Sequence, residues 1–182
     1  LKREYGNTTL NLSILGFGAG NIGSENNNEK EVERLLNYLI DQGVNLIDTA
    51  RGYNFSEERI GKYLSKRRDE IVLSTKVGYG IQNYQDWTYD CIIAGVDYAL
   101  NLMKTDYLDI VHLHSCPKYI LEQGDVILAL EDSIKKGKVR FMAYSGENEA
   151  LEYAISTNKF DGIQCSVNIC DQKVIDNQLN II

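Results

Sequence analysis

Two rhythms of apolar and polar residues alternate along the chain. Short, almost continuously apolar runs predict buried parallel strands, and stretches with apolar residues every three or four positions predict amphipathic helices. The predicted strands are Ile14–Gly20, Asn45–Ala50, Ile71–Val77, Leu108–His114, Val139–Ser145 and Gly162–Val167. The helices between them are Glu29–Gln42, Ser56–Lys66, Thr88–Lys104, Asp125–Lys136 and Glu149–Ser156, with another starting at Asp171. The first helix carries Val32, Leu35, Leu36, Leu39 and Ile40 on one face and stops at Gly43. Ser56 reads as the N-cap of the second, and Glu57 and Glu58 suit the positive end of its dipole. Ahead of the first strand, Arg3–Ser13 with Gly6-Asn7 at its centre reads as a β-hairpin.

Six strand–helix units in a row mean a parallel sheet covered by helices, either a doubly wound sheet or a (β/α)8 TIM barrel. A barrel closes with eight units and typically needs about 250 residues, with about 200 as the lower end. At 182 residues, a barrel of this sequence is expected to be incomplete, and with the start at Leu1 the chain reads as a fragment. Such a chain would expose unpaired strand edges, so the isolated product is expected to be poorly soluble or oligomeric and to bind cofactor weakly.

Composition narrows the setting. Hydrophobic residues at 43% and charged residues at 25% are ordinary for a soluble globular protein. A net charge of −7 argues against nucleic acid or anionic lipid as a partner. No apolar run approaches the roughly 18–20 residues of a membrane span, and the polar N-terminus lacks a signal-peptide core. The four cysteines (Cys91, Cys116, Cys165, Cys170) are scattered and have no histidine at ligand spacing. They read as reduced thiols in a cytoplasmic protein, with no metal site.

Candidate chemistry gathers where the strands end. In a barrel that rim is open and faces the helix N-termini. The strand ends carry Gly18-Ala19-Gly20, then Asp48, Lys76, His114, Ser145-Gly146 and Gln164, and Tyr53 lies five residues past Asp48. Together these can reduce a carbonyl. Tyr53 serves as general acid in reduction and general base in alcohol oxidation. An ammonium at Lys76 favours phenolate, Asp48 pairs with and positions Lys76, and His114 orients the carbonyl. A lysine in an apolar strand must find an acid or reach the rim. His112 and His114 share a strand face, and His112, one layer deeper, reads as a hydrogen-bonded core residue. Tyr79, Tyr84 and Trp87, in the loop after the third strand, can wall a substrate pocket or simply cover the barrel top.

Gly18–Gly23 also spells G-x-G-x-x-G, with Asp48 ending the next strand, which is the dinucleotide fingerprint of the doubly wound fold. That fingerprint should run straight into a helix, yet Ser24–Asn28 intervenes. It also leaves Tyr53, Lys76 and His114 without a role.

The segments LGFGAG, NLIDTARGYNFSEERIG, VLSTKVG, DYLDIVHLHSCP, FMAYSGE and GIQCSVN resemble the aldo-keto reductase family, bacterial members above all, from about Arg3 to the end of the chain. The resemblance implies an NAD(P)-dependent oxidoreductase acting on a small-molecule aldehyde or ketone. It implies one barrel domain over residues 1–182 that lacks its C-terminal units, and a catalytic tetrad of Asp48, Tyr53, Lys76 and His114. It also implies nicotinamide contacts by Ser145 and Gln164, with Gly18, Ala19 and Gly20 near the nicotinamide ribose. Gly146 stands where many members carry an asparagine. NADP(H) is the family expectation, with NAD(H) open, because the units that grip the 2′-phosphate are absent. The alternative is a non-catalytic, cofactor-binding regulatory member or an inactive fragment of the same family.

Overall fold

The computed structural model describes residues 1–177. A two-stranded antiparallel hairpin, β1 (Lys2–Glu4) and β2 (Asn11–Ser13), precedes six parallel strands. These are β3 (Phe17–Gly18), β4 (Leu46–Asp48), β5 (Val72–Val77), β6 (Leu108–His114), β7 (Val139–Ser145) and β8 (Gly162–Gln164). The helices are α1 (Glu29–Asp41), α2 (Ser56–Leu64), α3 (Tyr89–Met103), α4 (Lys118–Gln123), α5 (Asp125–Lys135), α6 (Asn148–Ser156) and α7 (Lys173–Asn177).

Strand order decides between the two architectures. Each strand pairs in parallel with its neighbour in sequence, from β3 through β8 without reversal. A doubly wound sheet needs a switch point where the order reverses, and none occurs here. The sheet also curls. β4 and β8 are four strand spacings apart, roughly 19 Å across a flat sheet, yet Gln164 Nε2 donates to Asp48 Oδ2 at 3.2 Å. The result is part of a (β/α)8 barrel.

Period-two alternation sorts the strand residues between two cores. Leu73, Val77, Val111, Leu113, Met142 and Tyr144 face the helices and meet Leu36, Ile60, Leu64, Val96 and Leu130. Each such side chain, once buried, contributes roughly 1.5–3 kcal/mol. Inside the barrel, Val72, Ile110 and Ala143 pack against Leu10 and Leu12 of the hairpin. The hairpin thus closes the N-terminal end of the strands. Asn45 Oδ1 accepts from Ser13 N at 2.6 Å, Ser13 Oγ accepts from Asn45 N at 3.0 Å, and Arg140 reaches Thr9 at 3.1 Å. The opposite mouth is left to polar side chains.

Several expectations need correction. Ile14 and Leu15 are 55% and 72% exposed, so the first strand is Phe17–Gly18 alone, and the chain turns into a 3-10 segment at Asn21–Gly23. The last strand stops at Gln164, and Ser166 N turns instead to Glu147 Oε1 at 2.8 Å. Helix α4 was not expected, because six residues with Ile120 and Leu121 are too short to display a period. Ser56 does not cap α2. Its buried hydroxyl accepts from Thr49 Oγ1 and donates to Ala19 O, each at 2.8 Å, tying the ends of β3 and β4 to the helix. Glu57 is buried too, accepting from Thr75 Oγ1 at 2.6 Å. Asn28 and Thr88 are the working N-caps of α1 and α3. The polar stretch Ser24–Asn28 is held by Arg59, whose guanidinium donates to Ile22 O, Ser24 O and Glu29.

Candidate active site

The alternation that buries Leu73 and Val111 against the helices turns Ser74, Lys76, His112 and His114 into the barrel. Ladder stagger sets their heights. Asp48 lies beside Ser74, while Lys76 lies one layer higher beside His112. Lys76 therefore reaches back, and its Nζ donates to Asp48 Oδ2 at 2.7 Å and to Thr49 O at 2.8 Å. The lysine side chain is only 3% exposed, a burial an ammonium tolerates only with partners such as these.

Asp48 receives more than the lysine. Ser74 Oγ donates to Oδ1 at 2.8 Å, and Gln164 Nε2 to Oδ2 at 3.2 Å. Ser74 Oγ is also 3.0 Å from His112 Nε2. Ser74 escaped the sequence reading although it is two residues before Lys76 on one strand, the spacing that places it on the same face.

Tyr53 stands above this cluster. Its ring centroid is 5.2 Å from Lys76 Nζ and 6.1 Å from the His114 ring, which it meets edge-on. Its loop is fixed by backbone contacts, with Tyr53 N donating to Ala50 O and Ser56 N to Tyr53 O, both at 3.0 Å. A Cβ on Gly23 would fall 1.9 Å from Tyr53 O, so the glycine permits this close approach. The four residues proposed as a tetrad are thus neighbours, drawn from β4, the loop after it, β5 and β6.

The expected cofactor residues rim the same mouth. Gly18 is exposed, with open space where a side chain would lie. A Cβ on Gly20 would lie 3.8 Å from the Tyr53 ring, and Ala19 is buried beneath. Ser145 lies beside both His114 and Gln164 in the ladder. Gln164 Oε1 is buried and makes no hydrogen bond. A Cβ on Gly146 would meet the Tyr144 hydroxyl at 2.5 Å, and that hydroxyl is anchored on Cys116 O at 3.0 Å. Of the loop aromatics, Tyr79 stacks on His114, Trp87 packs against Tyr79 at 5.7 Å, and Tyr84 is 46% exposed. A cavity of about 400 Å³ lined by Tyr79, Arg51, Gly52 and Tyr98 does not include Tyr53, Lys76 or His114. Among the described residues no three His, Cys, Asp or Glu side chains gather as metal ligands do.

Burial, reinforced by the Lys76 ammonium, holds the His114 imidazole below its usual range. Burial acts more strongly on His112, taking it from 6.5 to about 4. The unfolded chain therefore protonates His112 first, so the stability it contributes is complete above about pH 6.5 and is lost as pH falls toward 4. From about pH 7 to about pH 5 this amounts to roughly 2 kcal/mol. Burial raises Glu57, which acts in the opposite direction. Glu57 acts equally in a His112→Gln variant, so the comparison isolates the histidine. Urea unfolding should show wild type losing roughly 2 kcal/mol more than the variant over that interval. Parallel losses would mean that His112 does not enter the fold neutral.

The profile of the Aldo/keto reductase family matches residues 14–179. The chain is 31% identical to the Bacillus subtilis oxidoreductase YqkF over 86% of its own length and 53% of that protein's. It is 27% identical to the NADH-specific methylglyoxal reductase of Escherichia coli over 98% of its length and 62% of that protein's. The chain spans about half to two-thirds of the length of these curated relatives. Among solved structures, the holo form of an aldo-keto reductase from Bacillus halodurans superposes with a TM-score of 0.87 at 27% identity, covering 96% of this chain and 60% of that one. With the sequential parallel strands and the clustered Asp, Tyr, Lys and His behind it, this match has one consequence: the chain belongs to the aldo/keto reductase family.

Proposed function

We propose that residues 1–182 are part of a single barrel domain that reduces an aldehyde or ketone, or oxidises the corresponding alcohol, with NADPH or NADH. The observation that carries this reading is the position of the Lys76 ammonium, bound to Asp48 at 2.7 Å and 5.2 Å from the Tyr53 ring centre. An ammonium held there stabilises the phenolate left when Tyr53 gives its proton to the developing alkoxide. Asp48 accepts from Lys76, Ser74 and Gln164. Its task is to fix Lys76. His114, kept neutral, offers an N–H to the substrate oxygen and orients the carbonyl.

The mouth suits a nicotinamide. Gln164 Oε1 is a buried acceptor lacking a donor, and Gly18 leaves its place open. Gln164 and Ser145 would hold the carboxamide, and the Gly18–Gly20 backbone would lie along the ribose. When bound, the cofactor supplies the hydride. Gly146 adds no side-chain contact, since any side chain there would have to displace Tyr144. Among the described residues none is assigned to a 2′-phosphate, and one relative's name specifies NADH, so both cofactors belong in the assay.

Fluorescence titration with NADPH and with NADH tests binding, and consumption of the reduced cofactor with aldehydes such as a nitrobenzaldehyde tests turnover. Removing one hydrogen bond to the carboxamide, in Gln164→Ala, should weaken binding about fivefold, near 1 kcal/mol. Binding without turnover would assign the chain to the non-catalytic members instead, and a folded protein that binds neither cofactor would overturn the reading.

A further inference from the structure

The loop after β5 makes a contact that barrel covering does not require. Tyr79 lays its ring on the His114 imidazole, centroids 5.5 Å apart and planes within 23°, and its hydroxyl is 2.8 Å from His114 Nδ1. This pose is built into the backbone. Gly78 has φ +147°, and a Cβ there would strike the Trp87 ring at 2.2 Å. Trp87 itself sits at φ +61°, a conformation that costs a bulky residue of order 1–3 kcal/mol. It is held by Trp87 N donating to Gly78 O at 2.8 Å and by Gly80 N donating to Asp86 Oδ1 at 3.0 Å. So held, the indole presses edgewise on Tyr79. On the other side, His114 is pinned by the turn at Ser115 (φ +60°), whose N–H donates to Ser145 O at 2.6 Å.

We propose that Tyr79 is a positioning residue that donates its hydroxyl proton to His114 Nδ1 and thereby fixes the imidazole as the Nε2–H tautomer. A neutral imidazole has one N–H, and which nitrogen carries it follows from the bond the other makes. Among the described residues, Nδ1 is the sole hydrogen-bond partner of the Tyr79 hydroxyl. Burial pushes the Tyr79 phenol upward and the His114 imidazole downward, which keeps the first a donor and the second neutral. The opposite tautomer would spend its N–H on Tyr79 and turn a lone pair toward a carbonyl oxygen. In the proposed arrangement Nε2–H is free to meet that oxygen. The role deepens the carbonyl-reductase reading and rests on it.

The test is Tyr79→Phe, which keeps the stacked ring and its contact with Trp87 and removes one oxygen. The chain has only two histidines, so nitrogen-15 spectra of the imidazoles, with His112→Gln to assign them, report the His114 tautomer directly. The expected result is an Nε2–H signature in wild type, a mixture of tautomers in Tyr79→Phe, and a kcat/KM for carbonyl reduction lowered roughly tenfold with cofactor affinity unchanged. An Nδ1–H signature in wild type, or an unaltered spectrum and rate in the variant, would overturn it. If the wild-type protein binds cofactor but reduces no carbonyl, the reductase reading fails, while the spectra still decide whether Tyr79 sets the tautomer.

Discussion

Changing Tyr53 to phenylalanine should slow carbonyl reduction by at least several-hundred-fold, the range a positioned general acid supplies, while cofactor binding stays nearly constant. The substitution removes one oxygen and little else. The loop around residue 53 is held by hydrogen bonds of the Tyr53 N–H to Ala50 O and of Ser56 N to the Tyr53 carbonyl, and by contact with Gly23. None of these involves the phenol oxygen. The ring would keep its edge-on contact with His114 and its place over Lys76. A large loss of rate with unchanged unfolding behaviour would therefore be chemical. Steady-state consumption of NADPH or NADH, beside direct cofactor titration, gives both numbers, and a variant as fast as wild type would remove Tyr53 from the reaction.

The second large effect concerns stability and the opposite end of the barrel. Asp109, at the start of β6, is 2% exposed and accepts from Arg68 Nη2 at 2.6 Å, Arg140 Nη1 at 2.7 Å and Leu73 N at 2.9 Å. One carboxylate thus joins the turn after α2 to three adjacent strands. Asp109→Ala leaves the Leu73 N–H without its acceptor and takes the carboxylate from the Arg68 guanidinium, which keeps only neutral oxygens, Thr105 Oγ1, Ile71 O and Tyr107 O. Breaking a buried pair from one side costs about 3–5 kcal/mol, which for a chain of this size lowers Tm by roughly 10 °C. Asp109→Asn, which still accepts from Leu73 N, should lose about half as much. Thermal and urea unfolding measure both. A loss under about 1 kcal/mol for Asp109→Ala would mean that the arginines find water instead and that the carboxylate is no anchor.

The proposed site was unevenly legible. Lys76 announced itself, because a cation in an apolar strand must end at an acid or at water. His112 and His114 were separated correctly into deep and rim positions by their place on one strand, and His112 does reach a hydroxyl, that of Ser74. Ser74 was missed because its spacing from Lys76 gives the face it lies on but not its partners, which lie across the sheet. Ser56 misled for a related reason. Locally a serine before two glutamates favours an N-cap, but burial beside Thr49 and Ala19 gave its hydroxyl stronger partners. Ile14 and Leu15 misled because apolarity implies a buried strand only where something covers it.

Periodicity within each short stretch was enough to specify the six strand–helix units, since alternation of two and recurrence near 3.6 are properties of the local backbone. The polar residues at the strand ends could be located for the same reason. Which strand lies beside which, how far the ladders stagger and how tightly the sheet curls depend on contacts between distant segments. The 3.2 Å bond between Gln164 and Asp48, 116 residues apart, exists only because the sheet bends. Tyr79 likewise meets His114 across 35 residues because Gly78 and Trp87 turn their loop inward. Such pairings have no counterpart in local spacing, because closure of the sheet and packing over it choose them.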